Sequence, residues 1–458
     1  MPDTIEPRVL KGFRDYLPEA ELARLALTHK LERVFGSFGF VPIDTPALEY
    51  AEILLGKGGG ETDKQVYRFK DHGDRDVALR FDLTVPFARF MAEHVDALYL
   101  PFRRYHMAKV WRGENTQRGR YREFMQCDFD IVGTDSAAAD ADIILTIAEA
   151  MRALEVGEVR IRVNHRGLFN RFLAVRGVAA KSVAVLRTVD KLEKIGAEET
   201  ERLLTADIGP ENARAVLEFI HPEADFSSTL EKMYSACGET DPEALAARNR
   251  LAQVRDIAEA AGAAASLVLA PSITRGLDYY TGLVVETSLA DMPQIGSVCS
   301  GGRYNELASL YTTKKLPGVG ASIGLDRLLA ALEALNRSGD RPEVTKLLIL
   351  NLEDTAQTQP QLQAQAQRAA AALRRQGIAV EVFPEAKKLQ VQYAYAERKG
   401  IPFALLLDGK AAEAGKWPLR NLASRSTRDF SSLEEVADAL NEPRSPDAKK
   451  PAGSGSDA

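Results

Sequence analysis

Cysteine is scarce: Cys127, Cys237 and Cys299 are the three in a chain of 458 residues. They form no paired framework and no C-x-x-C spacing, which excludes a disulfide-stapled scaffold and points to a reducing cytoplasm. The six histidines are scattered and give no zinc-ligand spacing. No apolar run approaches the roughly 20 residues that span a bilayer, so no membrane partner is expected. The first residues, MPDTIEPRVLKGFRD, hold no apolar stretch of the kind a secretory signal needs. Positive charge is not in excess either, with 59 Lys and Arg against 65 Asp and Glu and a net charge of −6. That argues against blanket adhesion to nucleic acid and leaves room for a local basic surface. GKGGGETDK (56–64) lacks the Lys-Ser/Thr ending of a phosphate-binding P-loop and reads as a lid or spacer.

What is present is a globular composition, 45% hydrophobic and 27% charged, in a chain long enough for two or three domains. Residues 19–38 carry a helical stripe of Leu22, Leu25, Leu31, Val34, Phe35 and Phe38, closed by Gly39. Pro42 and Pro46 make 40–50 extended. DVALRF (76–81) reads as a strand and LTVPFARFMAEH (83–94) as a helix, so Asp82 and Thr84 sit at a junction where a helix cap is the competing reading. From 167 to 265 the chain is Leu- and Ala-rich and helical. Strand patterns return in 266–272, 275–287 and 295–307, and GVGASIGLDRLLAALEAL (318–335) reads as strand, Gly turn and helix. Beyond a linker at 337–344, strand and helix alternate from 345 to 441, which predicts a small α/β domain with a mainly parallel sheet. Residues 442–458 are a disordered tail by composition.

Residues 104–131, RYHMAKVWRGENTQRGRYREFMQCDFDI, are the most informative. They read as two strands around an Arg- and Gly-rich loop. Because side chains alternate along a strand, Met125, Cys127, Phe129 and Ile131 share one face, and Phe124, Gln126, Asp128 and Asp130 share the other. A ring, an amide and two carboxylates beside Arg112 and Arg120 suit a polar, partly anionic ligand better than a core. A hairpin with one wet face is the bland alternative. Chemistry on a nucleotide's α-phosphate needs fixed cations where charge builds. Arg112, Arg120, Arg275 and Arg327, each at a strand end or in a Gly-flanked turn, are the candidates. In RGLDYYTG (275–282), Tyr279 and Tyr280 of one strand face opposite ways, so one can pack while the other offers a hydroxyl. In SGGRYNEL (300–307), two glycines lead into a helix and let backbone approach a ligand. Arg327 in the first turn of its helix is unfavourable beside the helix dipole unless an anion or a π-system binds there.

Together these motifs resemble class II aminoacyl-tRNA synthetases, and among them the histidyl-tRNA synthetase family, from KGFRDYLP (11–18) to about residue 440. FGFVPIDTPALEY is similar to the family's dimer-interface motif, the hairpin 104–131 to its second motif and GVGASIGLDRL to its third. The resemblance implies an α+β catalytic domain (1–166 and 266–336) with an antiparallel sheet flanked by helices, a helical insertion (167–265) and an anticodon-binding α/β domain (345–441), in a homodimer. It implies that Asp82, Leu83, Thr84 and Gln126 hold histidine's α-amino end and that Asp130, Tyr279 and Tyr280 line the imidazole. Arg112 then contacts the α-phosphate, Glu114 and Arg120 help hold ATP, and Phe124 and Arg327 sandwich the adenine. Arg275 stands opposite Arg112, where other class II enzymes place a metal, and Mg2+ comes with the nucleotide. The implied activity is ATP-dependent ligation of histidine to its tRNA. A regulatory paralogue that binds histidine and supports ATP phosphoribosyltransferase is the alternative. Such proteins resemble the catalytic domain alone, with damaged ATP motifs, whereas Arg112, Arg275 and Arg327 are all present in this sequence.

Overall fold

The computed structural model describes residues 4–56, 65–117, 119–238, 240–274, 280–337, 345–351, 359–407 and 415–442. The GKGGGETDK loop, apart from Gly56, lies outside them. The chain divides into two compact units, Met1–Asp340 and Arg341–Ala458.

The first unit opens with α1 (Pro18–Ser37), followed by β1 (Val41–Pro42), β2 (Leu48–Tyr50), α2 (Ala51–Leu55), β3 (Arg68–Lys70), β4 (Asp76–Leu79) and α3 (Thr84–His94). A hairpin of two ten-residue strands, β5 (Phe102–Trp111) and β6 (Glu123–Val132), leads to α4 (Ala137–Ala153) and β7 (Val159–His165). Six helices follow: α5 (Arg166–Val175), α6 (Ser182–Val189), α7 (Leu192–Ile208), α8 (Pro210–Ile220), α9 (Phe226–Ala236) and α10 (Pro242–Ala260). The unit closes with β8 (Leu267–Leu269), β9 (Leu283–Leu289), β10 (Cys299–Arg303), β11 (Gly318–Gly324) and α11 (Leu325–Ala334).

Eight strands form one sheet in the order β1-β5-β6-β11-β10-β9-β7-β8, antiparallel except for the outer pairs β1–β5 and β7–β8. Its two faces differ as the alternation along β6 requires. Cys127, Phe129 and Ile131 are buried against Leu31, Val34 and Phe35 of α1 and Ile143, Ile144 and Ile147 of α4. Register pairing carries the other face across four strands. Asp128, Ser322, Ser300 and Glu286 form one row, and Asp130, Gly320, Gly302 and Val284 the next. A polar floor in the middle of a sheet is expensive to bury without partners, so a ligand-bearing cleft is the natural place for it.

Two local expectations change. The glycines of SGGR do not lead into a helix but lie inside β10, paired on both sides, because a Cβ on Gly301 would collide with the Gly320 carbonyl and the Ala321 backbone. The strand expected from 275 begins at Leu283 among the described residues, and Tyr280 lies ahead of it.

The second unit holds β12 (Leu347–Leu350), α12 (Gln359–Arg375), β13 (Val380–Val382), α13 (Leu389–Lys399), β14 (Phe403–Leu406), β15 (Trp417–Asn421), β16 (Thr427–Phe430) and α14 (Leu433–Asn441). Its sheet runs β13-β12-β14-β15-β16, parallel across the first three strands and antiparallel across the rest. It is therefore mixed rather than mainly parallel. The short β15–β16 connection is a hairpin, and no crossover helix stands there to make the strands parallel.

Candidate active site

A cavity of about 290 Å³ opens on the polar face, with Arg112, Glu114, Arg120, Tyr280, Glu286, Ser297, Ser300, Gly301 and Arg327 among its walls. Arg112 follows the last residue of β5, where its Nε donates to the Phe81 carbonyl at 2.8 Å and its guanidinium stands 5.2 Å from the Phe124 ring centroid. Glu114 lies between two arginines, 3.9 Å from Arg112 and 3.7 Å from Arg120. Arg327, in the first turn of α11, donates to the Ser297 carbonyl. The loop between β5 and β6 presses against it through Gly119, at φ +71°, where a Cβ would come 3.2 Å from the Arg327 Cα. Glycine alone adopts that conformation at little cost and leaves that gap.

Three guanidiniums around one cavity with few carboxylates make a site for an anion of high charge density. Two carboxylates, Glu114 and Glu286, line it, and among the described residues no three His, Cys, Asp or Glu side chains gather into a metal site.

Next to the cavity, Gly302 and Gly320 are register partners, so their missing side chains would point to one face. The Asp130 carboxylate occupies the space above Gly320, and Tyr280 ring carbons come within 3.0 Å of a Cβ on Gly302. Asp130 and Tyr280 thus stand side by side over a two-glycine floor. Asp130 is buried. Tyr304 donates its hydroxyl to Asp130 Oδ1, and Arg104 Nη2 lies 2.8 Å from Oδ2 at ion-pair distance without hydrogen-bond geometry. Burial raises the Asp130 carboxyl above the usual range, with Arg104 and Tyr304 pulling the other way. Burial likewise pushes Asp128 up to about 7, against Arg104.

The expected residues divide three ways. Arg112, Glu114, Arg120, Tyr280 and Arg327 line the cavity. Asp82, Leu83, Thr84, Phe124, Gln126 and Asp130 are not on its wall. Asp82 accepts the Val85 N–H at 3.1 Å, so it does the work of a helix cap, and burial raises its carboxyl. Leu83 is fully buried and lends only its carbonyl, 3.3 Å from Arg104. Gln126 donates to Ser322 Oγ at 2.9 Å and lies two rows from Asp130 on the same face. Arg275 and Tyr279 lie outside the described residues. Sequence reasoning passed over Glu286, Ser297 and Ser300 on the wall, and Arg104 and Tyr304 beneath it. The parity of Arg104 with Phe102 and His106 on β5, directly across from Asp130, was a usable signal.

The family model described as histidyl-tRNA synthetase matches residues 12–328, and an anticodon-binding domain model matches 346–442. A histidine–tRNA ligase of Treponema denticola is 49% identical over 95% of this chain and 98% of its own length. Another, from Rhodopirellula baltica, is 46% identical over 96% and 98%. Among solved structures, a histidyl-tRNA synthetase from a Nostoc species superposes with a TM-score of 0.84 at 30% identity, covering 95% of this chain and 99% of that one.

Proposed function

The chain belongs to the histidyl-tRNA synthetase family and is a histidine–tRNA ligase, and on that premise we propose how its own residues divide the work. Histidine's carboxylate attacks the α-phosphorus of ATP and pyrophosphate leaves with its magnesium; a terminal ribose hydroxyl of the tRNA then takes the acyl group from histidyl-adenylate, and AMP leaves. The regulatory-paralogue alternative is not favoured, because the match runs through both the synthetase and the anticodon-binding models.

One observation carries the assignment: Arg112, Arg120 and Arg327 surround a single cavity whose wall continues into the floor beneath Tyr280 and Asp130. Arg112 takes the α-phosphate as negative charge builds on its oxygens, with Arg275 opposite it. Arg120 and Glu114 help hold ATP, and Phe124 and Arg327 hold the adenine between them. An imidazole offers two ring nitrogens, so its pocket must supply an acceptor and a group able to donate or accept. Asp130 and Tyr280 have that chemistry, and Tyr279 is assigned to the same ring. Asp82, Leu83, Thr84 and Gln126 take the α-amino end. A pocket built on polar pairing rejects analogues lacking the partner by about 10⁴–10⁵, so discrimination needs no editing site. The helices of residues 167–265 form an insertion to the catalytic domain, and the second unit binds the anticodon. The protein works in the cytoplasm as a homodimer.

Histidine-dependent ATP–pyrophosphate exchange tests this reading. The exchange is expected with histidine and with none of threonine, proline or glycine. Removing either Arg112 or Arg275 is expected to slow it by about 10²–10³. Near-normal exchange in Arg275→Ala removes that residue from the mechanism.

A further inference from the structure

The segment KGFRDYLP (11–18), which precedes α1, has no part in the division of work above. We propose that its Arg14 and Tyr16 are positioning residues that hold Asp326 as a spacer between the two groups assigned to the adenine. The proposal rests on the reading of Phe124 and Arg327 given above.

Asp326 is the second residue of α11, and its side chain is only 2% exposed. A buried carboxylate must be satisfied, and the donors here come from two distant parts of the chain. Its Oδ2 accepts the Met125 N–H at 2.7 Å, the first backbone group after Phe124 on β6. Its Oδ1 accepts the Tyr16 hydroxyl and, at 3.2 Å, Arg14 Nη2. The same arginine donates from Nη1 to the Tyr121 hydroxyl at 3.0 Å, and its guanidinium lies 4.1 Å from the Tyr16 ring and 4.3 Å from the Tyr121 ring. The strap is pinned at its other end as well. Arg122 N–H donates to the Gly12 carbonyl at 2.7 Å, and Gly12, at φ +89°, has the Arg122 side chain where a Cβ would stand.

The consequence follows from adjacency. Asp326 neighbours Arg327, and Met125 neighbours Phe124, so the bond between Asp326 and Met125 fixes the distance between the two sides of the adenine slot. That bond needs the carboxylate at one rotation. Charge-assisted bonds to Oδ1 from Tyr16 and Arg14 supply the constraint. A helix's first turn often carries an acid for its dipole alone. Here both oxygens of Asp326 are engaged outside the helix.

Tyr16→Phe removes the hydroxyl and keeps the ring on which Arg14 and Arg24 stack. In pyrophosphate exchange its KM for ATP is expected to rise about three- to tenfold, the size of one ordinary hydrogen bond, with the KM for histidine unchanged. Arg14→Lys, which keeps the charge and loses the fork, moves the same constant the same way. Calorimetric binding of ATP gives the shift without turnover, and melting curves report that each variant is folded. In an Arg327→Ala background Tyr16→Phe is expected to be silent, since the residue it acts through is gone. If Arg327→Ala raises the ATP KM while Tyr16→Phe and Arg14→Lys do not, the spacer is wrong and the adenine reading stands. If Arg327→Ala leaves ATP binding untouched, the adenine reading fails and the spacer goes with it. Equal weakening of histidine and ATP, or full additivity with Arg327→Ala, reduces the strap to general support and overturns the proposal.

Discussion

The Arg104 guanidinium stands 2.8 Å from the Asp130 carboxylate, and neither side chain reaches solvent by more than 4%. Arg104 is otherwise held by the Leu83 carbonyl and by the Phe87 ring, 4.0 Å below it. It is the one cation in ion-pair contact with Asp130 among the described residues. Arg104→Leu fits an apolar side chain to the space but strands a buried carboxylate. Truncating one partner of a buried pair costs about 3–5 kcal/mol. Urea unfolding is expected to show a loss of that size, and histidine binding should weaken more than ATP binding. A loss under about 1 kcal/mol, the range of a surface pair, would mean that Asp130 does not depend on Arg104.

Asp128, one row from Asp130 on the same face, gives a pH signature. Burial pushes its carboxyl up to about 7, and an unfolded Asp titrates near about 4. Between those values the folded chain keeps a proton that the unfolded chain gives up. The contribution to stability is therefore full below about pH 4 and is lost as pH rises to about 7. Asn has no proton to lose. Asp128→Asn is expected to stabilise the protein, with a gain that grows by about 3 kcal/mol between pH 5 and pH 8. Thermal melts of both proteins at the two pH values check it; a gain that does not change with pH contradicts the assignment.

Much of this face was legible because alternation along β6 is a strict period of two. Cys127, Phe129 and Ile131 lie in the core, and Gln126, Asp128 and Asp130 lie opposite, as the sequence pattern requires. The glycines are another matter. Gly302 and Gly320 are eighteen residues apart, and nothing local says that they pair across β10 and β11 and clear space for Tyr280 and Asp130. The β15–β16 hairpin was missed for a local reason. Pro418 sits inside β15 and TRDF of β16 is polar, so neither strand shows an apolar alternation. The roles of Arg14 and Tyr16 depend on Asp326, more than three hundred residues away, a contact that no spacing encodes.

The glycine floor makes its own prediction. A methyl group at position 320 would overlap the Asp130 carboxylate and come 2.7 Å from the Phe129 carbonyl. Gly320→Ala should drive Asp130 off the floor and raise the KM for histidine at least about tenfold, with a stability loss of about 1–3 kcal/mol from overpacking. Gly39→Ala, at φ +77° with no neighbour within 4 Å, gives the comparison. It is expected to lower stability through backbone strain alone and to leave the histidine KM where it was. Equal KM values in the two variants would remove the floor from histidine recognition.

Asp140 and Asp135 separate a buried ion pair from an exposed one with the same two partners. Asp140, on α4, is fully buried. It receives Arg303 of β10 at 2.8 Å from Nε and 2.7 Å from Nη2 on one oxygen, and Arg250 of α10 on the other. Asp135 is half-exposed, 2.8 Å from Arg250 and 3.3 Å from Arg303. In the interior the pairing is weakly screened and hard to replace with water; at the surface it is worth little. Asp140→Asn leaves two guanidiniums facing a neutral amide and is expected to cost about 3–5 kcal/mol. Asp135→Asn is expected to cost less than about 1 kcal/mol, and to cost still less in high salt. Arg303 also accepts the Thr281 N–H at 2.7 Å through its carbonyl, next to Tyr280, so Asp140→Asn should loosen the histidine pocket as well as the fold. Denaturant melts at low and high salt, read beside the KM for histidine, decide the matter. Similar losses for the two variants would mean that Asp140 is not the charge holding α4, α10 and β10 together.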